Sequence, residues 1–411
     1  MTALKYWLWL AESMGTDTVA ALGVLDAFGT AERAFYAGPE EYEELNLRPA
    51  QRAALANKRL DRAEQILADC QRLGLRIMTL QDGDYPQRLR AIADPPLVLY
   101  IRGRVFHFDE EAAIAVVGAR SPTPYGEKWA ERLGLELAAG GALVLSGIAE
   151  GLDTCAIKGA LKAGGPVVSV LAGGVDIPFP AENRFLYEDV AAAGALVSES
   201  PPGTSHRGWR FPRRNRVLSG LSLGVLAVEC RTFGGTMNTI GHALEQDRDV
   251  FALPGAVDAP MSEGPNQLIQ RGAKLVTCGQ DILDEYRDRF PGRLSPPKLL
   301  EEQAAQARLD DLERRRLEGD DPEAPRAVPE KEPAKPKREL VPRGQQKSRF
   351  TDDELALLWA LKEKSYPVEQ LVDMTQIPAK RVLSALTMLQ IQGAVEEQPG
   401  KRFAAMVELE E

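Results

Sequence analysis

Cysteine, histidine and aromatic residues are scarce in this 411-residue chain, and each scarcity narrows the classes of function open to it. Four cysteines, Cys70, Cys155, Cys230 and Cys278, are scattered with no C-x-x-C and no neighbouring histidine. That usage argues against a zinc site and for reduced thiols in a cytoplasm. The three histidines, His107, His206 and His242, stand far apart, and none has triad or metal spacing. No G-x-x-x-x-G-K-S/T occurs, so the chain is not a P-loop ATPase. No apolar run approaches the roughly 20 residues that span a bilayer. The opening MTALKYWLWLAESMG lacks a basic region and a small-residue cleavage site, and reads as a helix. A net charge of -10 argues against indiscriminate binding to nucleic acid, although a local basic groove is compatible with it.

What is present is a core. At 44% apolar residues the composition suits two or three globular domains. The middle of the chain is organised around Ala112–Leu137. An apolar run, Ala112–Val117, is too short for a helix and suits a strand buried on both faces. Gly118 ends it, Ser121 to Pro124 turn the chain, and Tyr125–Leu137 has helical spacing. This is the opening unit of a doubly wound α/β fold, whose crevice beyond the strand ends is the natural anion site. Arg120 places a cation there, and it also removes the second glycine of G-x-G-x-x-G, which weakens a dinucleotide reading. Further strands are expected at Ala142–Ser146, Val167–Leu171, Ala195–Ser198, Leu223–Val228, Asp249–Leu253 and Lys274–Val276, alternating with helices in a mainly parallel sheet. Leu97–Ile101 reads as a strand ahead of them.

The flanks differ. Residues 1–80 read as short amphipathic helices, the longest Pro49–Leu73, with a Leu25–Thr30 hinge similar to those of SAM-like and helix-hairpin-helix domains. Residues 81–290 form the α/β core. Residues 291–349, rich in Pro, Glu, Lys and Arg, read as a charged linker in which Leu299–Leu317 has helical potential. Residues 350–411 suggest a winged helix: a helix capped by Thr351–Glu354, two more at Val368–Met374 and Pro378–Gln392, and a wing from Ala394–Glu397 and Arg402–Ala405. Its third helix offers Lys380 and Arg381.

Four turns in the core favour anions. Arg207–Gly220 carries Arg207, Arg210, Arg213, Arg214 and Arg216 with Trp209, Phe211 and Asn215, ahead of a helix expected at Val217–Gly220. Guanidinium forks hold phosphates and aromatic faces stack on bases. Ser146–Asp153 offers Ser146 and Gly147 as phosphate donors and Asp153 as a helix cap. Leu171–Arg184 supplies Phe179, Asn183 and Arg184. Phe233–Thr239 places Gly235 and Thr236 at the mouth of a helix. With no base or nucleophile evident, these turns describe a binder better than a catalyst.

The ordered motifs YPQRLRAIADPPLVLYIRG (85–103), VGARSPTPYG (117–126), SGIAEGLD (146–153), FPAENR (179–184), FPRRNRVLSGLSLGVLAVE (211–229), ALEQDRDVFALPG (243–255) and NQLIQRGAKLVT (266–277) closely resemble the DNA-processing protein A family, DprA or Smf. The resemblance implies an extended Rossmann-like core that binds single-stranded DNA without enzymatic activity or cofactor, and that forms a homodimer. It further implies protection of incoming strands during natural transformation, displacement of single-strand-binding protein and loading of the RecA recombinase. Arg120 matches the family's DNA-contacting arginine, and Ser146, Gly147, Asn183, Arg184, Arg213, Arg214, Asn215, Gly235 and Thr236 fall on its pocket-lining motifs. Phe179 and Arg210 complete the candidate set on chemical grounds. Glu150, Ile157 and Ala181 stand where the family commonly has a basic residue, a histidine and a lysine. The alternative reading is a nucleotide-processing enzyme of the lysine-decarboxylase-like phosphoribohydrolase type. Its signature P-G-G-x-G-T-x-x-E is only partly met by Gly234-Gly235-Thr236, with Phe233 at the proline position and no matching glutamate.

Overall fold

Short runs of Val, Ile, Leu and Ala, cut by glycine turns, assemble into one nine-stranded sheet. The computed structural model describes residues 3–296, 339–342, 346, 350–362, 366–375, 377–392, 394–398 and 402–409. They fall into two units, Met1–Glu323 and Ala324–Glu411.

In the first unit the strands are β1 (Arg76–Thr79), β2 (Val98–Gly103), β3 (Ala113–Val117), β4 (Leu143–Ser146), β5 (Val167–Leu171), β6 (Ala195–Ser198), β7 (Gly224–Ala227), β8 (Asp249–Ala252) and β9 (Lys274–Leu275). Their order is β1-β2-β6-β5-β4-β3-β7-β8-β9. β2 runs antiparallel to β1 and β6, and the remaining pairs are parallel. From β3 the chain winds outward through β4, β5 and β6, then crosses back to β7. The strand order therefore reverses between β3 and β7, and the crevice at their C-terminal ends is the ligand site such sheets provide.

Alternate residues of β3 enter opposite cores. Ile114 and Val116 pack with Leu133 and Leu137 on one face, and Ala113, Ala115 and Val117 pack with Val217 and Leu221 on the other. Helices Pro124–Ala139 and Leu152–Lys162 approach closely through Gly134 and Gly159. An added methyl at Gly134 would overlap the Ala156 carbonyl, and one at Gly159 the Glu131 carbonyl.

Three local expectations change. The arginine-rich helix spans Arg210–Leu221 and so starts well before Val217, because Pro212 sits in its first turn, where its missing N–H has no intrahelical partner to lose. The long N-terminal helix is split into Pro49–Ala56 and Asp61–Arg72, with Asn57 leaving helical geometry between them. β1 lies at the end of the segment expected to be wholly helical, and its four residues are too few to show alternation. The N-terminal helices cover the sheet edge, packing Tyr6, Trp7 and Trp9 against Leu97, Val98 and Tyr100. No helix among the described residues is long and apolar enough to cross a membrane.

The second unit is a winged helix. Helices Asp352–Ala360, Val368–Thr375 and Ala379–Ile391 bury Leu357, Leu371, Val382 and Leu386 against Phe403. Strands Val395–Gln398 and Arg402–Ala405 form the antiparallel wing. Thr351 and Glu354 make the expected reciprocal cap, with Thr351 N donating to Glu354 over 2.7 Å. Glu339–Val341 pairs in parallel with Val407–Leu409, so a strand of this unit lies inside the stretch expected to be linker. Arg381 is engaged by Asp353 at 2.7 Å. The helix expected at Leu299–Leu317, the linker over 297–338 and the Lys380 side chain lie outside the described residues.

Two substitutions test the packing. Gly159→Ala should lower stability by about 1–3 kcal/mol by forcing the two helices apart. Gly23→Ala, on an exposed helical position with open space around it, should raise stability by about 0.4–1 kcal/mol. Urea midpoints at unchanged slope check both.

Candidate nucleic-acid interface

The crevice between β3 and β7 is a cleft of about 310 Å³. Its first wall is the turn that carries Arg120, and the neighbouring strand fixes that turn. Ala119 N donates to the Glu229 carbonyl over 2.8 Å, and Leu152 N donates to the Ala119 carbonyl over 3.1 Å. The buried Glu229 carboxylate accepts from Thr123 N at 3.0 Å and Thr123 Oγ1 at 2.6 Å. Thr123 is the N-cap of helix Pro124–Ala139, so an internal carboxylate already occupies that helix N-terminus. Gly151, at φ 81°, fits beneath the carbonyls of Ala119 and Arg120, where a Cβ would collide. The Arg120 side chain is exposed and its guanidinium lies 5.0 Å from the Phe211 ring centroid. It makes no hydrogen bond or ion pair among the described residues.

Arg214 faces the same cleft under different conditions. It is buried, donating from Nη1 to the carbonyls of Val170 and Gly147 (3.1 Å to the latter), and from Nε to Asn215 Oδ1 at 3.1 Å. The buried Asp153 accepts from Gly147 N at 3.1 Å rather than capping its own helix. Burial pulls the Arg214 pKa down and pushes the Asp153 pKa up, while each group's charge counteracts the shift of the other. Asn215 Nδ2 donates to the Gly235 carbonyl at 3.3 Å and to Asn238 Oδ1 at 3.0 Å. It thereby sets the N-terminus of helix Gly235–Glu245 at the cleft, with Gly235 and Thr236 in the lining.

A smaller cavity of about 60 Å³ adjoins the cleft and shares Arg120 and Phe211 with it. There Phe179 stacks on His206, with centroids 5.2 Å apart and planes 15° apart, and lies 5.6 Å from Phe211. His206 Nε2 donates to the Ile177 carbonyl at 2.8 Å, and burial lowers the imidazole pKa, which favours the neutral ring. The turn above holds Ile148 at φ 53°, a rare conformation for a β-branched residue. Asn183 Nδ2 braces it by donating to the Ile148 carbonyl at 3.2 Å.

The structure thus gathers Arg120, Arg214, Asn215, Gly235 and Thr236 around one cleft, with Gly147 and Phe179 lining the adjoining cavity. Ser146 is fully buried, its hydroxyl donating to the Val116 carbonyl at 2.8 Å, so it supports the turn from below. Asn183 is a brace, and Arg184 lies over Phe185 outside both cavities. Arg210 and Arg213 project to the other side of their helix, where Arg213 pairs with Glu199 at 2.9 Å. Among the lining residues outside the expected set are His206 and the exposed Arg231 and Phe233. The latter two immediately precede the glycine pair, and that basic-aromatic flank is the signal that could have found them.

The model of the family described as DNA recombination-mediator protein A matches residues 76–287, which include the whole sheet and both cavities. The chain belongs to this family. The DprA winged helix domain matches residues 325–401. DNA processing protein DprA of Bacillus subtilis is 38% identical over 225 residues, covering 55% of this chain and 76% of that protein. Protein Smf of Synechocystis sp. is 30% identical over 411 residues, covering 97% and 98%. The X-ray structure of DprA from Streptococcus pneumoniae matches with a TM-score of 0.58 at 30% identity, covering 68% of this chain and 97% of that one.

The two cleft arginines should separate by stability. Arg120→Ala removes an exposed, unpaired side chain and should move the unfolding free energy by no more than about 0.5 kcal/mol. Arg214→Ala strands buried carbonyls and the Asp153 charge, and should destabilise on the order of 3 kcal/mol. Chemical denaturation of the two variants beside the parent checks the contrast.

Proposed function

We propose that the chain is a non-enzymatic binder of single-stranded DNA that acts as a recombination mediator. The observation that carries this reading is the Arg120 guanidinium, beside the Phe211 ring on a turn that Glu229 clamps, with no counter-charge among the described residues. A phosphate would take the Arg120 fork and the open N–H groups of Gly235 and Thr236. A splayed base would meet Phe211, or Phe179 stacked on His206. The adjoining cavities offer ring faces to unstacked bases, which a stacked duplex does not present. Arg214 contributes charge from below, and Glu150 at the rim reduces the field.

The wider role rests on the family: protection of incoming strands during natural transformation by a cytoplasmic homodimer, with displacement of single-strand-binding protein and loading of RecA recombinase. The phosphoribohydrolase reading gains no support from the site. The carboxylate facing the cleft, Asp153, is buried and engaged by the Gly147 N–H.

Fluorescence anisotropy of labelled oligo-dT against duplex, over a salt series, tests the proposal. Single strand should bind more tightly, with affinity falling about 0.7 log units per contacted phosphate per log unit of salt. Arg120→Ala should weaken binding about tenfold or more. Equal binding of single strand and duplex, or binding indifferent to Arg120, would refute it.

A further inference from the structure

A second cavity, of about 270 Å³, lies where the N-terminal helices meet the core. Thr16 and Arg62 line it from the helices, and Ser200, Thr204, Arg210 and Arg213 from the core. Its two carboxylates are already engaged. Glu12 holds Arg62 at 3.4 Å, and Glu199 lies between Arg213 at 2.9 Å and Arg216 at 2.5 Å. Arg210 is left over. Its Nη1 donates to Ser200 Oγ at 3.0 Å, but its Nε is buried with no hydrogen-bond partner, and among the described residues no carboxylate lies within ion-pair distance. Partial burial also pulls its pKa down, an effect that the nearby Glu199 charge opposes. A buried donor on an unpaired cation is costly until an anion meets it.

The placement says which anion. Arg210 and Arg213 are three residues apart on helix Arg210–Leu221 and face this cavity, while Phe211, Arg214 and Asn215 face the cleft at the strand ends. The two lie on different sides of the same stretch of helix. Trp209, 53% exposed, carries the Arg210 guanidinium 4.4 Å from its ring centroid and offers an aromatic face beside that stretch.

The geometry points to this cavity as a second phosphate site for the same strand, which rounds the first turn of the helix past Trp209 and meets Arg210 and Arg62. This inference rests on the single-strand reading of the first cleft, and it makes the N-terminal helical region part of the nucleic-acid interface.

Oligo-dT of graded length, bound to the full chain, tests it. Arg210→Ala and Arg62→Ala, on opposite walls, should leave the shortest bound oligonucleotide at parental affinity. Each should weaken the longest several-fold and reduce its salt slope by about 0.7. Two variants guard against a folding defect in either, and urea midpoints identify one. If short oligonucleotides bind and neither variant shows a length-dependent loss, the second site is refuted while the cleft stands. If no oligonucleotide binds the parent, both readings fall. Thymidine monophosphate serves as the free-phosphate control, read through tryptophan fluorescence that Trp209→Phe removes. A response as strong as that of the long oligonucleotide would overturn the strand path in favour of a free-nucleotide site.

Discussion

The cleft depends on one buried carboxylate. Glu229, 2% exposed at the end of β7, accepts from both the backbone and the hydroxyl of Thr123, across the point where the strand order reverses. No cation pairs with it among the described residues; two hydrogen bonds and the N-terminus of helix Pro124–Ala139 stabilise the charge. The bond joins the turn after β3 to the strand at its side, so the backbone of Arg120 has little freedom. It also uses the helix terminus that a dinucleotide fold reserves for its ligand's pyrophosphate. In the proposed reading, anion binding is thereby displaced from that helix to the Arg120 side chain and to helix Gly235–Glu245 opposite. The absence of the glycine fingerprint at Arg120 and the presence of Glu229 are two aspects of the same arrangement.

Charge in the arginine-rich helix is divided by the same logic. Arg216 is 2% exposed between Glu199 and Asp94, and Arg213 shares Glu199. Arg214 is tied to carbonyls, and of the five only Arg207 and Arg210 have no carboxylate or carbonyl partner among the described residues. A count of five arginines therefore overstates the anion-binding capacity of the segment. Its helical phase shows how they are distributed, because positions three or four apart share a side, as Arg210 and Arg213 do on one and Phe211, Arg214 and Asn215 on the other.

That phase explains much of what was legible. Strands β3 to β8 announced themselves as apolar runs, most of them closed by glycine, since both faces of the sheet are buried and most positions are apolar. The turns carrying Arg120, Gly147 and Gly235 followed as the connections that such a sheet places at one edge. β1 and Glu339–Val341 were not legible, because each carries only two consecutive apolar residues, Ile77-Met78 and Leu340-Val341, and lacks the longer apolar run of the core strands. The start of helix Arg210–Leu221 was hidden by Pro212, which reads as a breaker and acts as a first-turn residue. At the site, residue type indicated chemistry but not direction. Ser146 and Asn183 are donors of the right kind, yet their bonds turn inward to Val116 and Ile148. His206 was weighed by triad spacing, whereas its ring lies flat against Phe179.

The inward-turned donors matter as much as the outward ones. Ile148 at φ 53° would relax if Asn183 released its carbonyl, and with it would shift Gly147, the Arg214 contact and the cavity below Phe179. A single-strand site of the kind proposed, which accepts any base in sequence, gains nothing from hydrogen-bond readout and much from a fixed geometry, since each group ordered only on binding subtracts from affinity. Rings held by rings, and a cation whose turn is clamped from both sides, meet that requirement. The few polar groups left unsatisfied at the cavity walls are then the ones a backbone phosphate can satisfy without regard to sequence.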